Sequence, residues 1–236
     1  MRNFRASLFA AFVAMPPHAA ADDAVQKEDP AAAFEMPAAE EVVKADGLPP
    51  VGKWMIDPNG HLASWLGASY EGKQLQEPIN VIIVDRLSTS PEEAKTQLVQ
   101  AAASAGYPSR KGHSNGYSGF IGDRFYSQLP EEKDHAFSNA PYEFDNNHGR
   151  IFGPHSYDDA YVFIGAFSRE RIVAFAKLKH QYASFDRARD DFSQSLDRAT
   201  RYKISGFVDM GNAIVGNAHL TTGDHDGQAV LIERSE

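Results

Sequence analysis

The residue types best suited to chemistry lie in the second half of the chain. His148 and Arg150 alternate along a segment with strand character, so their side chains point to one face and Ile151 points to the other. A guanidinium is a planar fork that can bind a carboxylate or phosphate through two hydrogen bonds. The pattern therefore predicts either a polar face that binds an anionic ligand or a structural ion pair of Arg150 with Asp186 or Asp190.

A second candidate set begins at His180, which precedes a segment with helical character. Asp186, Arg189 and Asp190 follow at spacings of three and four residues, which place them on one face of a helix. A histidine near carboxylates could perform acid–base chemistry or bind a metal ion. Alternatively, the acids and the arginine pair with one another on a solvated helix, where an acid in the first turn also suits the helix dipole.

No established catalytic motif supports these candidates. The zinc pattern His-Glu-x-x-His is absent, as are Gly-x-Ser-x-Gly, Gly-x-Gly-x-x-Gly and the Walker loop. The segment Asp224-His225-Asp226-Gly227 is superficially similar to a calcium loop but lacks the acid at the twelfth position, and Asp-Gly between apolar runs is typical of a hairpin turn. We therefore expect no metal and no cofactor, and we predict a turn at 223–227.

Two helices and several strands must position these side chains. The β-branched run from Pro78 to Asp85 predicts a strand that is buried on both faces. Ser90 and Pro91 are typical of a helix start, with a stop at Gly106. A second helix is predicted over 185–200, where the apolar residues lie on one side. Strands with two interspersed helices predict a single α+β domain with a mixed or antiparallel sheet.

Two further segments have less decisive patterns. Residues 62–70 are expected to form a short helical or irregular segment that places Trp65 in the core. Residues 171–179 could form a strand or a helix.

The N-terminal part of the chain predicts export. Residues 1–21 have the features of a signal peptide, namely two arginines, an apolar stretch over 6–15 and small residues before a cleavage site after Ala21. Residues 22–50 are rich in alanine, proline and acids, which is typical of a flexible leader, so the folded domain is expected over 51–236. The apolar stretch is too short to span a bilayer, and no later segment is long enough. We expect the protein in the periplasm or secreted.

Charge and cysteine content restrict the possible partners. Removing the signal peptide takes two of the 23 basic residues and no acid, which leaves 21 basic against 32 acidic residues and a net charge of −11. Such an acidic chain is not expected to bind nucleic acid. The chain has no cysteine, so thiol chemistry is excluded. The expected partner is an envelope ligand or protein that the sequence does not identify.

Several segments, in order along the chain, resemble the LssY-type C-terminal domain family. They are Pro78-Ile79-Asn80-Val81-Ile82-Ile83-Val84, His148-Gly149-Arg150-Ile151-Phe152, Ile164-Gly165-Ala166-Phe167-Ser168-Arg169-Glu170, His180 and Asp186-Arg187-Ala188-Arg189-Asp190. Glu170 and Ala188 depart from the family pattern, which usually has Asp and Glu at these positions. The resemblance covers about 78–233 and implies an exported, stand-alone member of a family found beside phosphatase-like membrane domains.

Two functions are consistent with these observations. The first is a non-catalytic binding or accessory module of the cell envelope, whose anionic ligand would contact Arg150 and Arg189. The alternative is a hydrolase, possibly metal-assisted, in which His148 and His180 act together with Asp186 or Asp190. The alternative requires the two histidines to lie close together in the fold.

Overall fold

The structure is a computed structural model that describes residues 34–175 and 177–235. The predicted signal peptide and residues 22–33 of the predicted leader lie outside the described residues. Among the residues that are described, no helix has the length and apolar character that crossing a bilayer requires.

The chain forms fifteen described strands and two α-helices. The strands are β1 Val42–Val43, β2 Val51–Gly52, β3 Ser64–Tyr70, β4 Lys73–Gln76, β5 Val81–Asp85, β6 Ser109–Lys111, β7 Ser118–Ile121, β8 Arg124–Leu129, β9 His135–Ser138, β10 Asn146–Tyr157, β11 Ala160–Phe175, β12 Lys177–Ser184, β13 Tyr202–Asp209, β14 Leu220–Thr221 and β15 Gln228–Arg234. The helices are α1 Pro91–Ser104 and α2 Asp186–Ala199.

Twelve of these strands form one curled, mixed sheet. Its main path runs β1-β2-β7-β8-β10-β11-β5-β15-β13, while β12 pairs with β11, and β9 joins β6 to β10. All described pairs within it are antiparallel except that of β5 with β15. Strands β14, β4 and β3 form a second, small sheet. The predicted α+β class with two helices is confirmed as a single fold, although strands contribute many more residues than helices do.

The position of strand β5 in the sheet explains why its first four residues, 81–84, are all apolar. The strand lies between β11 and β15, so both of its edges are hydrogen-bonded. Val81 and Ile83 pack into the core beneath the helices, whereas Ile82 and Val84 pack into a second core on the opposite face. The prediction of a strand buried on both faces is confirmed.

The two helices cover one face of the sheet. The Ser90 hydroxyl accepts a hydrogen bond from the Glu93 amide at 3.1 Å, and Pro91 is the first helical residue, so α1 begins where the sequence predicts. In α2 the buried residues include Phe192 and Leu196. Phe192 stacks on Phe167 of β11 with ring centroids 4.0 Å apart, which fixes α2 against the centre of the sheet.

The opposite face of β10 and β11 carries the polar residues of interest. Ile151 packs toward the helices, whereas Phe152 packs into the second core. Side chains alternate along a strand, so His148 and Arg150 share the face of Phe152. On β11, Glu170 follows the same alternation as Ala166, which also belongs to the second core. The polar residues therefore continue the inner surface of the curled sheet, away from both helices.

Two segments differ from the sequence-based expectations, and for a third the structure selects one of two alternatives. Residues 64–70 form strand β3 rather than a helical or irregular segment, because they pair with β4, although Trp65 is buried as predicted. The strand alternative for 171–179 is confirmed over 171–175 and 177–179, since β11 and β12 form a long hairpin. The turn at 223–227 does not close a tight hairpin, because β14 lies in the connection between β13 and β15 and pairs with β4.

The ordered fold also begins before the expected boundary at residue 51. Within the segment expected to be a flexible leader, Val42–Val43 pairs with Val51–Gly52. Leu48 is buried in the second core, and the Glu41 carboxylate accepts a hydrogen bond from the indole N–H of Trp54. Residues from about 38 onward therefore contribute contacts to the domain.

Candidate functional site

His148 and Arg150 line a small pocket of about 100 Å³ on the inner surface of the sheet. Ionisable side chains from several elements converge on it, and we call it the histidine pocket. They are Glu77 after β4, His113 after β6, His148 and Arg150 on β10, Glu170 on β11 and His180 on β12. Adjacent strands of the sheet supply four of these six side chains, since β11 lies between β10 and β12.

Glu170 joins the two histidines that the sequence identified. Its Oε2 lies 2.9 Å from Nδ1 of His180, and its Oε1 lies 3.9 Å from Nδ1 of His148. Asn146, which faces Glu170 across the β10–β11 pair, donates a hydrogen bond to Oε1 at 2.6 Å. The carboxylate is buried and is held from two sides. The hydrolase alternative required His148 and His180 to lie close together, and they do.

The side-chain amide of Asn146 also fixes the orientation of the His148 ring. Nδ1 of His148 lies 3.0 Å from Oδ1 of Asn146, and that oxygen can only accept. We therefore assign the proton of the imidazole to Nδ1, which leaves a lone pair on Nε2, 3.4 Å from the Ser168 hydroxyl. Burial, together with the nearby His113, Arg150 and His180, holds the pKa of His148 well below its usual value, so the ring is neutral at neutral pH.

His113 is the most unusual member of the pocket. It is 7% exposed, and its ring lies 4.6 Å from that of His148, centroid to centroid. Neither ring nitrogen makes a hydrogen bond with any described residue, and Nε2 is fully buried. Burial, reinforced by the positive charge of Arg150, lowers the pKa of His113 to about 4, so this imidazole is also neutral. Buried polar atoms in folded proteins nearly always have a partner.

Glu77 is a second buried ionisable residue of the pocket. The residue is 6% exposed and lines the pocket together with Arg150. Burial raises the pKa of Glu77 to about 7, against an opposing effect of the positive Arg150. A carboxyl group in this state exchanges its proton near neutral pH.

Arg150 is held by the loop that follows β6. Its Nε and Nη2 donate to the Ser114 carbonyl at 3.2 and 2.7 Å, and Nη2 also donates to the Ser114 hydroxyl at 3.1 Å. Its guanidinium lies over the Tyr117 ring, 4.5 Å from the centroid. The predicted alternative of an ion pair with Asp186 or Asp190 is wrong. Most donors of the fork are used within the protein, so Arg150 is poorly available as a clamp for an anion.

The charges of α2 belong to a different cluster. Arg189 contacts Asp190 at 2.8 Å, Asp226 at 2.6 Å and Asp186 at 3.3 Å. It also donates to the Gln228 carbonyl at 3.0 Å. Because α2 covers the helix face of the sheet, its first turn meets the loop before β15 instead of the strand that carries His148. The expected site that combined Asp186, Arg189 and Asp190 with the histidines is therefore not formed.

This second cluster has the character of a structural ion-pair network. His225 is buried, with Nε2 2.8 Å from Oδ1 of Asn212 and Nδ1 3.4 Å from Asp186. Side-chain oxygens of Asp186 and Asp226 and a ring nitrogen of His225 lie near enough to one another for a metal ion. The guanidinium of Arg189 already supplies the positive charge there, so the cluster needs no added cation. Its effect is to hold residues 222–228 against α2.

Tyr142, in the loop between β9 and β10, contacts two residues that line the histidine pocket. It stacks on His180 with ring centroids 6.0 Å apart and an interplanar angle of 8°. A side chain on Gly112, whose φ is +109°, would overlap the Tyr142 ring, so this position needs a glycine. Leu66, 57% exposed, also lines the pocket and gives it an apolar edge.

Sequence reasoning missed three members of the histidine pocket. His113 lies in a Gly- and Ser-rich segment and Glu77 precedes a proline, and neither has a motif spacing relative to the other site residues. Glu170 was visible only as a departure from the family pattern. Their common property is burial of an ionisable group, which depends on the tertiary fold.

Comparisons of this chain with protein-family models, with curated proteins and with solved structures give no match.

Proposed function

We propose that this protein is an exported, non-catalytic binding module of the cell envelope, and that the histidine pocket binds a small cation. The observation that carries the proposal is that His113 is buried in this pocket with its Nε2 unpartnered among the described residues, beside the buried residue Glu77. Burying unpaired polar groups lowers stability, so such groups are typical of sites that a ligand completes.

The charges of the pocket support a cation rather than the anion expected from the sequence. Two carboxyl groups, Glu77 and Glu170, face one guanidinium, and the imidazoles of His113 and His148 are neutral. An anion would be placed near both carboxyl groups, while the guanidinium that could attract it is bound to Ser114. A cation would reduce the repulsion between the carboxyl groups and could contact neutral nitrogen lone pairs.

The cellular setting is part of the same proposal and rests on the sequence. The features of a signal peptide over 1–21 and the resemblance to the LssY-type C-terminal family support export and a role at the envelope. Polar residues that the resemblance highlights, His148, Glu170 and His180, are those that meet in the pocket.

Thermal unfolding of the purified protein with a panel of ions tests the proposal. The panel contains zinc, manganese, calcium, magnesium and methylammonium chlorides, with phosphate and succinate as anions. We expect saturable stabilisation by at least one cation, because a ligand that binds the native state alone raises its stability. Glu170→Gln should remove this stabilisation, and His219→Ala, at an exposed histidine outside the pocket, should retain it. Stabilisation by anions alone, or by cations equally in Glu170→Gln, would overturn the proposal.

A hydrolase remains the second candidate, and the state of Glu77 favours it. A carboxyl group with a pKa near 7 beside a bound cation suits a general base that activates water. Asp186 and Asp190 do not reach the pocket, so Glu77 would replace them in this role. Cation-dependent hydrolysis of a chromogenic ester or phosphoester, lost in Glu77→Gln while cation binding persists, would establish this function. An inactive protein with full cation binding would leave the binding module as the function.

A further inference from the structure

We propose that the cation is a divalent transition-metal ion of the zinc class, held by one ring nitrogen each of His113 and His148 and by the Glu170 carboxylate. The inference rests on the proposed function, since it names the cation of the same pocket. It changes the expectation from the sequence, where the absence of a zinc motif argued against a metal.

The first support is the geometry of the donor atoms. One ligand atom from each of His113, His148 and Glu170 lies within 4.8 Å of the other two, and all three residues are buried. Bonds of about 2.0–2.1 Å in a tetrahedral site place donor atoms roughly 3.3 Å apart. A small inward movement of side chains would therefore complete the set, and no backbone rearrangement is needed to bring the three residues together.

The second support is independent of the distances and concerns His113. Its Nε2 is fully buried and has no partner among the described residues, although an imidazole nitrogen normally finds one. A neutral imidazole has a lone pair on one nitrogen, which is the form that binds metal ions. The His148 ring lies 4.6 Å from the His113 ring, centroid to centroid, so a second imidazole stands beside the unpartnered one.

The third support is the arrangement behind the ligands. Metal-binding histidines usually donate their second ring N–H to a polar group that fixes the ring. Asn146 has this role for His148, since Nδ1 of the imidazole donates to its Oδ1. The same amide donates to Glu170 at 2.6 Å, so one side chain orients two of the three ligands. His180 holds the other carboxylate oxygen of Glu170 and acts as a positioning residue.

The donor chemistry selects the class of ion. Two imidazole nitrogens and one carboxylate suit zinc, cobalt or nickel, whereas calcium and magnesium prefer oxygen ligands throughout. Three protein ligands leave a position for water or a small ligand, which is the composition of an open metal site. Glu77 lines the same pocket and could contact a molecule at that position.

Titration of the untagged, chelator-treated full-length protein with Co²⁺ tests the inference, followed by competition with Zn²⁺. We expect one ion per chain and visible absorption bands typical of a four- or five-coordinate Co²⁺ site, which Zn²⁺ abolishes. His113→Ala and His148→Ala should each weaken Co²⁺ affinity by at least about 100-fold. Asn146→Ala, which removes a positioning group, should weaken it by about 10- to 100-fold. His219→Ala should bind Co²⁺ like the unaltered protein.

The outcomes separate this inference from the proposed function. Stabilisation by methylammonium or calcium without binding of Co²⁺ or Zn²⁺ would overturn the inference of a transition-metal site. The proposal that the pocket binds a cation would still hold. Co²⁺ binding that is unchanged in His113→Ala and His148→Ala would also overturn this site. His113→Ala should fold, because the hydrogen bond of His113 among the described residues is from its backbone amide to the Asp134 carbonyl, which alanine keeps. If circular dichroism shows that it does not, His113→Phe, which keeps a ring and removes the nitrogens, tests the same ligand.

Discussion

His148 and His180 lie on opposite oxygens of one buried carboxylate, with Nδ1 of His180 2.9 Å from Oε2 of Glu170 and Nδ1 of His148 3.9 Å from Oε1. Three neighbouring strands carry the three side chains, so the sheet itself sets their spacing. The arrangement makes Glu170 the residue on which the structure of the pocket depends.

Replacing Glu170 by Gln should destabilise the protein. The buried carboxylate accepts a hydrogen bond from Asn146 and lies 2.9 Å from Nδ1 of His180, and a hydrogen bond to a charged group contributes about 1.5–3 kcal/mol. We expect the free energy of unfolding in urea, with a chelator present, to fall by an amount of this order. Glu143→Gln is the control, because Glu143 is exposed. Equal stability of the two variants would show that the bonds to Glu170 are weak.

Glu77 should make the protein less stable as the pH rises. Burial raises the pKa of Glu77 from 4.5 to about 7, so the folded state binds its proton more tightly than the unfolded state does. The contribution of Glu77 to the free energy of unfolding is complete below about pH 4.5, declines as the pH rises through 7, and is lost above that. Integrated over this window the decline is on the order of 3 kcal/mol. Urea unfolding of Glu77→Gln and the unaltered protein at pH 4.5, 6 and 8 should show the difference growing in favour of the variant. If the stability difference between the two proteins did not depend on pH, the raised pKa of Glu77 would be contradicted.

The buried pair of Asp85 and Arg234 should dominate acid unfolding. Burial raises the pKa of Asp85, but hydrogen bonds from the Leu87 and Ser88 amides, the Ser88 hydroxyl and Arg234 outweigh it and hold the pKa below 3.8. Because the folded pKa is depressed, the stabilisation is present above pH 3.8 and is lost as the pH falls through the folded value. Asp85→Asn should lower the free energy of unfolding at pH 7 by about 3–5 kcal/mol, since it leaves Arg234 buried without a counter-charge. Asp123→Asn, at an exposed position, should have little effect.

Arg189→Leu should separate stability from binding. The change leaves three carboxylates around an apolar side chain, which should lower the free energy of unfolding by about 2–3 kcal/mol. This is less than for a fully buried pair, because the carboxylates are partly exposed. Cation binding in the histidine pocket should be unchanged, as measured by the shift in melting temperature at saturating ion. Loss of cation binding in this variant would show that Arg189 contributes to the functional site.

The elements that could be predicted from the sequence are those specified by local patterns. Ser90 and Pro91 specify the start of α1 through a hydrogen bond and a fixed backbone angle that need no tertiary contact. The apolar run of β5 predicts burial on both faces, and the two faces pack into the two hydrophobic cores. The shared face of His148 and Arg150 follows from the alternation of side chains along β10.

The parts that could not be predicted depend on contacts between distant segments. His113 and Glu77 enter the pocket from loops that precede β7 and β5, far in sequence from His148. Asp186 and Asp190 have the spacing of a site, yet α2 packs on the helix face of the sheet and directs them to the loop before β15. Spacing within one helix indicates which residues share a face, but the packing of that helix decides what the face meets.

The position of β15 has a consequence for how the protein reaches this structure. Val230 pairs with Val81, and Arg234 lies against Asp85, so the middle of the sheet joins residues about 150 positions apart. Contacts of such long range make folding slow. A polypeptide that emerges N-terminus first from a ribosome lacks the strand between β5 and β13 until residue 234 has appeared. The sheet should therefore close late in folding, around β15.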